Sequence, residues 1–206
     1  MTTALVSRNV ELVDDAKRMA EAWYRFVQEL YQWSGLAGSN FPLYVASMAT
    51  ATQMVLDPSD PPVWMPGPGN TLVLDCAASV ASRVHFALPL PRGYTRGTAL
   101  QPFIRIMRNS DAAGDSAWEF EHTIASVGDV FGPSSVVAID DVGPHPEAEH
   151  LDVIGESISG AELEPGAILV CSVRRNGAAD TYADDVFLLG AGVYLQNSAH
   201  GTQTVP

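Results

Sequence analysis

The sequence predicts a mainly β protein, a two-sheet sandwich or barrel preceded by one amphipathic α-helix. Three observations predict it. Before residue 40 the apolar residues recur with a helical period. After Ser39 the period falls to two, with Gly, Pro, Asn and Asp breaks between short apolar runs. Beyond residue 41 no segment carries a second helix of three turns, which sets aside a βαβ architecture. The chain therefore divides into an N-terminal anchor segment, 1–40, and a β region, 41–206.

Residues 1–12 mix polar and apolar types without a period. From Asp14 to Trp33 there is no Gly or Pro; Asp14 and Asp15 supply an N-cap and first-turn acids, and Gly35 with Gly38 supplies a stop. Inside this 14–33 helix, Ala16, Met19, Trp23, Phe26, Leu30 and Trp33 are spaced 3, 4, 3, 4, 3, the seam of a coiled coil. Ala20 and Val27 widen the stripe, so an ordinary helix packed on its own domain also fits. Three turns are too short to hold a coiled coil unaided. Large aromatics anchor interfaces, and their concentration here favours a docking or self-associating helix through Met19, Trp23, Phe26, Leu30, Tyr31 and Trp33.

Strands are expected at 41–54, 72–77, 84–90, 103–108, 117–127, 135–139, 150–157, 168–174 and 186–195. The clearest alternation sets Trp118, Phe120, His122 and Ile124 on one face against Glu119, Glu121 and Thr123 on the other. Val84, Phe86, Leu88 and Leu90 repeat it, as do Leu169, Cys171 and Val173. The stretch 57–70 contains prolines 58, 61, 62, 66 and 68 and reads as a stiff connection, because proline fixes φ and cannot donate to a sheet ladder. Trp64 inside it is expected to peg into the domain.

Composition restricts the function classes. The 206 residues are 47% hydrophobic and 17% charged, which is globular composition. Eleven Lys and Arg face 24 Asp and Glu, a net charge of −13, and no basic run exists to neutralise a phosphate backbone; nucleic acid is not an expected partner. The same sign disfavours anionic lipid, no stretch approaches the roughly 20 apolar residues that span a bilayer, and no leader peptide is visible. The expectation is a soluble protein made in the host cytoplasm. Cys76 and Cys171 lie in apolar strand-like runs and read as reduced core thiols.

No constellation carries chemistry. Gly114-Asp115-Ser116 lacks the strand-to-helix turn that exposes a nucleophilic serine and reads as a hairpin loop. His145 and His150 stand among Glu147, Glu149 and Asp152, yet without the spacing of a metal site; a metal-dependent cupin-like enzyme on these two histidines is the weakest of the rival readings. Asp140-Asp141 and Asp184-Asp185 lack a calcium-loop spacing and read as solvated turn acids. His85 and His122 read as satisfied core or interface histidines. No cofactor is called for.

Residues 72–195 resemble a family of small tailed-bacteriophage virion proteins with a jelly-roll-like β domain. The resemblance is carried by FALPLPRGYTRGTAL (86–100), AWEFEHTI (117–124) and ELEPGAILVCSVRRNGAADTYADDVFLLGAGVYL (162–195). The front segment RNVELVDDAKRMAEAWYRFVQELYQ (8–32) is similar to the N-terminal docking segments of phage tail or fibre proteins. The resemblance implies a non-enzymatic structural subunit in the tail, neck or fibre-attachment region, located in the virion and assembled as a homo-oligomer, a trimer, with other virion proteins as partners. Tyr94 with the 91–98 loop would be a rim contact. Capsid decoration is the near variant. A reading of a different class is a glycan-binding jelly-roll module, with Trp64, or Tyr182 beside Asp184, as the sugar-facing aromatic.

Overall fold

A computed structural model of the chain describes residues 43–67, 71–78, 80–147, 149–161 and 163–197. The expected helix 14–33 and its six docking residues lie outside the described residues. By internal contacts the chain divides after Phe41, and every described residue belongs to the second unit, Pro42–Pro206.

That unit is built from two antiparallel sheets. In chain order the strands are β1 (Leu43–Thr50), β2 (Val55–Leu56), β3 (Val63–Pro66), β4 (Leu72–Cys76), β5 (Arg83–Pro89), β6 (Gln101–Arg108), β7 (Ser116–Ala125), β8 (Ser135–Asp141), β9 (His150–Ile154), β10 (Ile168–Arg175) and β11 (Val186–Asn197), with a short 3-10 turn at Ala51–Gln53. One sheet runs β3-β4-β11-β6-β9, and β1 also lies on β11; the other runs β2-β5-β10-β7-β8. β11 is long enough to hold β4 against Val186–Leu188 and β1 against Gly190–Asn197, while β6 takes its opposite edge. Its register shifts between Leu188 and Gly190, so Leu189 bulges. Beyond the bulge a Cβ on Gly192 would stand 2.2 Å from the Ser47 carbonyl oxygen, so only glycine lets β1 approach this closely.

The period-two reading explains which side chains fill the space between the sheets. Val84, Phe86 and Leu88 of β5, Trp118 and Phe120 of β7, Leu169, Cys171 and Val173 of β10, and Val186, Leu188, Val193 and Leu195 of β11 are all buried in one core. Phe86 and Phe120 meet edge to face at 6.0 Å, which aligns ring edge with ring face. Burying a large apolar side chain is worth about 1.5–3 kcal/mol, so this shared interior fixes the register of every strand; a one-residue slip would turn a whole row to water.

Two expectations about the Pro-rich connection need correction. It contains a strand: β3 pairs with β4, while β2, just before the connection, pairs with β5. β3 sits at a sheet edge, where the missing donor of Pro66 faces outward and costs nothing. Trp64 is not a peg into the core; it lies on edge strand β3 and is 38% exposed. The connection is tied to the domain further upstream, where Asp57 meets His85 Nε2 at 2.8 Å and its amide donates to the Arg83 carbonyl.

Cys76 and Cys171 are free and buried, and burial pushes both thiols up to about 12. Since the thiolate is the reactive form, neither cysteine of the folded protein should react with iodoacetamide at neutral pH, and both should react in guanidinium. Stoichiometric labelling of the native chain, read by intact mass, would show that the core opens around them.

Candidate functional site

Charge placed inside the sandwich was not anticipated. Three strands carry their inward alternation to its end on a polar residue: Ile104, Ile106, Arg108 on β6; Val137, Ile139, Asp141 on β8; Cys171, Val173, Arg175 on β10. Arg108 and Arg175 are fully buried and Asp141 almost so. Arg108 Nε donates to Asp141 Oδ2 at 2.8 Å, Ser116 Oγ donates to the same oxygen at 3.2 Å, and Trp118 Nε1 donates to Ser116 Oγ at 3.0 Å. Arg175 donates to Asp180 at 2.5 Å, to the Cys76 carbonyl at 2.6 Å and to the Tyr182 carbonyl at 3.0 Å. The Tyr182 ring lies 4.5 Å from the Arg108 guanidinium carbon and 5.9 Å from that of Arg175. Its hydroxyl donates to the Ser110 carbonyl and accepts from the Ser110 amide. Together these residues plug one end of the sandwich.

This plug corrects several expectations. Asp141 is not a solvated turn acid, and Asp184 accepts a hydrogen bond from Ser110 Oγ. Ser116 begins β7 fully buried, where no substrate carbonyl could reach it. Tyr182 is buried and is no sugar platform. Tyr94 is likewise no rim contact: it is 2% exposed, its amide donates to the Pro91 carbonyl and its hydroxyl to that of Thr98. A Cβ on Gly160 would strike the Thr98 carbonyl and the Tyr94 hydroxyl, so the 91–98 loop is locked in place.

The histidines of the 145–150 stretch are dispersed over separate carboxylates. His145 Nε2 is 3.0 Å from Asp141 Oδ1, and His150 Nε2 is 3.8 Å from Asp152. Among the described residues no three His, Cys, Asp or Glu side chains group so as to hold a metal ion. Asp152 is engaged by Arg105 at 2.6 and 2.8 Å and by the Tyr194 hydroxyl at 2.7 Å; the Arg105 hydrogen bonds hold its carboxyl below the usual range. Across the outer face of the five-stranded sheet, Arg174 pairs with Glu119 and Arg83 with Glu121. Such half-exposed pairs contribute about 0–1 kcal/mol each and read as a solvated face.

Two features remain for contact with other molecules. One is apolar surface. Val63, Trp64, Met65 and Leu72 are exposed along β3 and β4, and Val127, Val130 and Phe131 are exposed in the β7–β8 connection. Contiguous exposed apolar patches mark interaction sites. The other is a groove at the far end of β7 from the plug. There the inner faces of β7 and β8 meet the segment 157–159, which is clipped in place by reciprocal backbone hydrogen bonds between Ile158 and Leu100. The groove is shallow and open to solvent, with a volume of about 410 Å³.

His122 stands on its wall. It follows Phe120 in the inward alternation, at 6.2 Å between ring centroids, and is 8% exposed. Burial holds its imidazole below the usual histidine range, partly offset by the Phe120 backbone. It is a buried histidine, as the alternation predicts, but its Nδ1 has no well-aligned hydrogen-bond partner, and the Phe120 backbone is the polar group it meets on its strand. Leaving a buried polar atom unmatched costs about 1–3 kcal/mol, and such atoms in native proteins ask for an explanation. His85, in contrast, is a surface residue paired with Asp57.

The described part is thus a two-sheet antiparallel β domain with a polar plug at one end and an uncharged groove at the other. No family model and no curated protein matches the sequence. Among solved structures, the chain is similar to an N-terminal endo-1,4-β-D-xylanase of Clostridium thermocellum, described as CBM22-1–GH10 modules complexed with xylohexaose, at 10% identity and a TM-score of 0.39 over 75% of this chain and 28% of that one. It is also similar to TmCBM61 in complex with β-1,4-galactotriose, at 11% identity and a TM-score of 0.32 over 75% of this chain and 88% of that one. TmCBM27, a carbohydrate-binding module that recognises mannan, matches at 14% identity and 0.35 over 74% and 98%. Likeness at this level says nothing about what this chain binds.

Proposed function

We propose that the protein is a non-enzymatic structural subunit of a tailed-phage virion, assembling as a homotrimer through its N-terminal helix and its β domain in the tail, neck or fibre-attachment region. The observation that carries this reading is the strand order. Leaving out β1 and the edge strands β2 and β3, the sheets run β4-β11-β6-β9 and β5-β10-β7-β8. Successive strands cross between the sheets except β7 to β8. That is jelly-roll order, an architecture shared by viral capsid subunits, lectin domains and cupins. It supports the resemblance to small virion proteins, whose carrying residues sit where the roll is closed. Tyr94 locks the loop between β5 and β6. Arg175, Asp180 and Tyr182 lock the approach to β11. Their work is architectural, as a particle subunit requires.

The exposed apolar residues of β3 and of the β7–β8 connection supply contact surface on the β domain, and Trp23 and Phe26 supply it on the helix. Static light scattering on a sizing column should return a trimer mass for the full chain. Phe26→Asp should reduce it to a monomer with unchanged near-ultraviolet dichroism of the β domain, and neither Phe26→Asp nor Trp23→Ala protein should enter particles. A wild-type monomer, or variants that incorporate normally, would refute assembly through the helix.

A further inference from the structure

We propose that the groove between β7–β8 and the 157–159 segment binds a neutral pyranose unit, with His122 as its buried polar contact. This goes beyond assembly, and it places a sugar site away from Trp64 and Tyr182.

The argument is one of chemical match. None of the residues lining the groove is Asp, Glu, Lys or Arg, so it offers nothing to stabilise an ionic ligand. The nearest carboxylate on β7, Glu121, is held on the opposite face of the sheet by Ser134 and Ser172. The lining divides into two chemistries. Ile124, Val137, Ile158 and Pro133 give an apolar strip, and Ser135, Ser157 and Ser159 give a rim of hydroxyls. A pyranose ring is built the same way, with axial C–H faces and a hydroxyl edge. The volume falls in the range of small-molecule sites, which are mostly apolar with a few placed polar groups. Of those polar groups His122 is the buried one, and its imidazole lacks a well-aligned protein partner at Nδ1; a ligand hydroxyl can donate to a neutral imidazole or accept from it. Ser135 and Ser157 are exposed and free to meet the ring's edge. The walls are preformed, because Thr123 Oγ1 donates to the Gly132 carbonyl and Ile158 is hydrogen-bonded on both sides of its peptide, so binding does not have to order them.

The test is an amide chemical-shift titration of the full chain with methyl β-D-glucopyranoside, methyl β-D-galactopyranoside and methyl α-D-mannopyranoside, with sodium glucuronate as the charged comparator. At least one neutral glycoside should shift the amides of His122, Ser135, Ser157 and Ile158 with a dissociation constant of the order of millimolar, and glucuronate should bind more weakly. Ser157→Trp, at an exposed rim position, fills the mouth and should weaken binding by roughly tenfold or more; Ser135→Trp, also exposed and paired with His122 across the β7–β8 ladder, is the second blocking variant. No shifts with any neutral glycoside, shifts centred elsewhere, tighter binding of glucuronate, or binding undiminished in both variants would each overturn the proposal. The trimer mass is read independently, so failure of the groove and failure of the assembly reading are distinguishable.

Discussion

Asp141→Ala is expected to destabilise the folded chain by about 3–5 kcal/mol, the usual cost of removing one partner from a buried ion pair. The carboxylate is 2% exposed and answers a guanidinium that is 0% exposed. Without it, Arg108 keeps a hydrogen bond to the residue 141 backbone carbonyl at 3.2 Å and its place over the Tyr182 ring, and neither neutralises the charge. Arg108 Nη1 already lacks a partner, so the site has no spare acceptor to offer. Ser116 Oγ loses its acceptor as well, and Trp118 is bonded to Ser116. Urea unfolding followed by Trp118 fluorescence measures the loss. The double variant Arg108→Met/Asp141→Leu should recover most of it, because two apolar residues leave no charge stranded. A single variant within about 1 kcal/mol of wild type would mean that water reaches Arg108 and that the plug is not closed.

The plug also shows what could be read from the residues alone. All nine expected strands are present within a few residues of their ends, because alternating Val, Ile, Leu and Phe specify both the strand and its buried face. β3 was hidden by the prolines around it, whose effect on a central strand is severe and on an edge strand is nil, and β2 by its length of two residues. The buried charges escaped for a different reason. Arg108, Asp141 and Arg175 stand where their strands end, and a charged residue after an apolar run reads as the start of a solvated turn. Yet each falls on the inward phase of its strand. Counting in twos past the last apolar residue would have placed two cations and an anion on the core side, close to balance. Tyr94 and Tyr182 sit in loops, where no period exists to tell in from out. The groove was legible only in part: the alternation puts His122 inside, whereas its missing partner depends on the path of residues 157–159, some 35 positions further along.

Arg175→Met is the counterpart at the other sheet, and its expected cost is again about 3–5 kcal/mol, here for three separate reasons. Asp180, 2% exposed at its side chain, would lose the cation it meets at 2.5 Å. The carbonyls of Cys76 and Tyr182 would each lose a donor in a site closed to water. These carbonyls belong to different parts of the roll, one at the end of β4 and one in the approach to β11, so the guanidinium fastens three chain segments that no strand ladder joins at that point. Methionine restores much of the volume of the stem, so the loss reports the head group rather than a cavity. Adding Asp180→Asn to Arg175→Met should return part of the stability by removing the stranded charge, and the remainder measures the two carbonyls. If Arg175→Met alone unfolds at the wild-type urea midpoint, the segment from Asp180 to Tyr182 is held by its backbone hydrogen bonds to Asp115 and Asn176, and the guanidinium is a passenger in the plug.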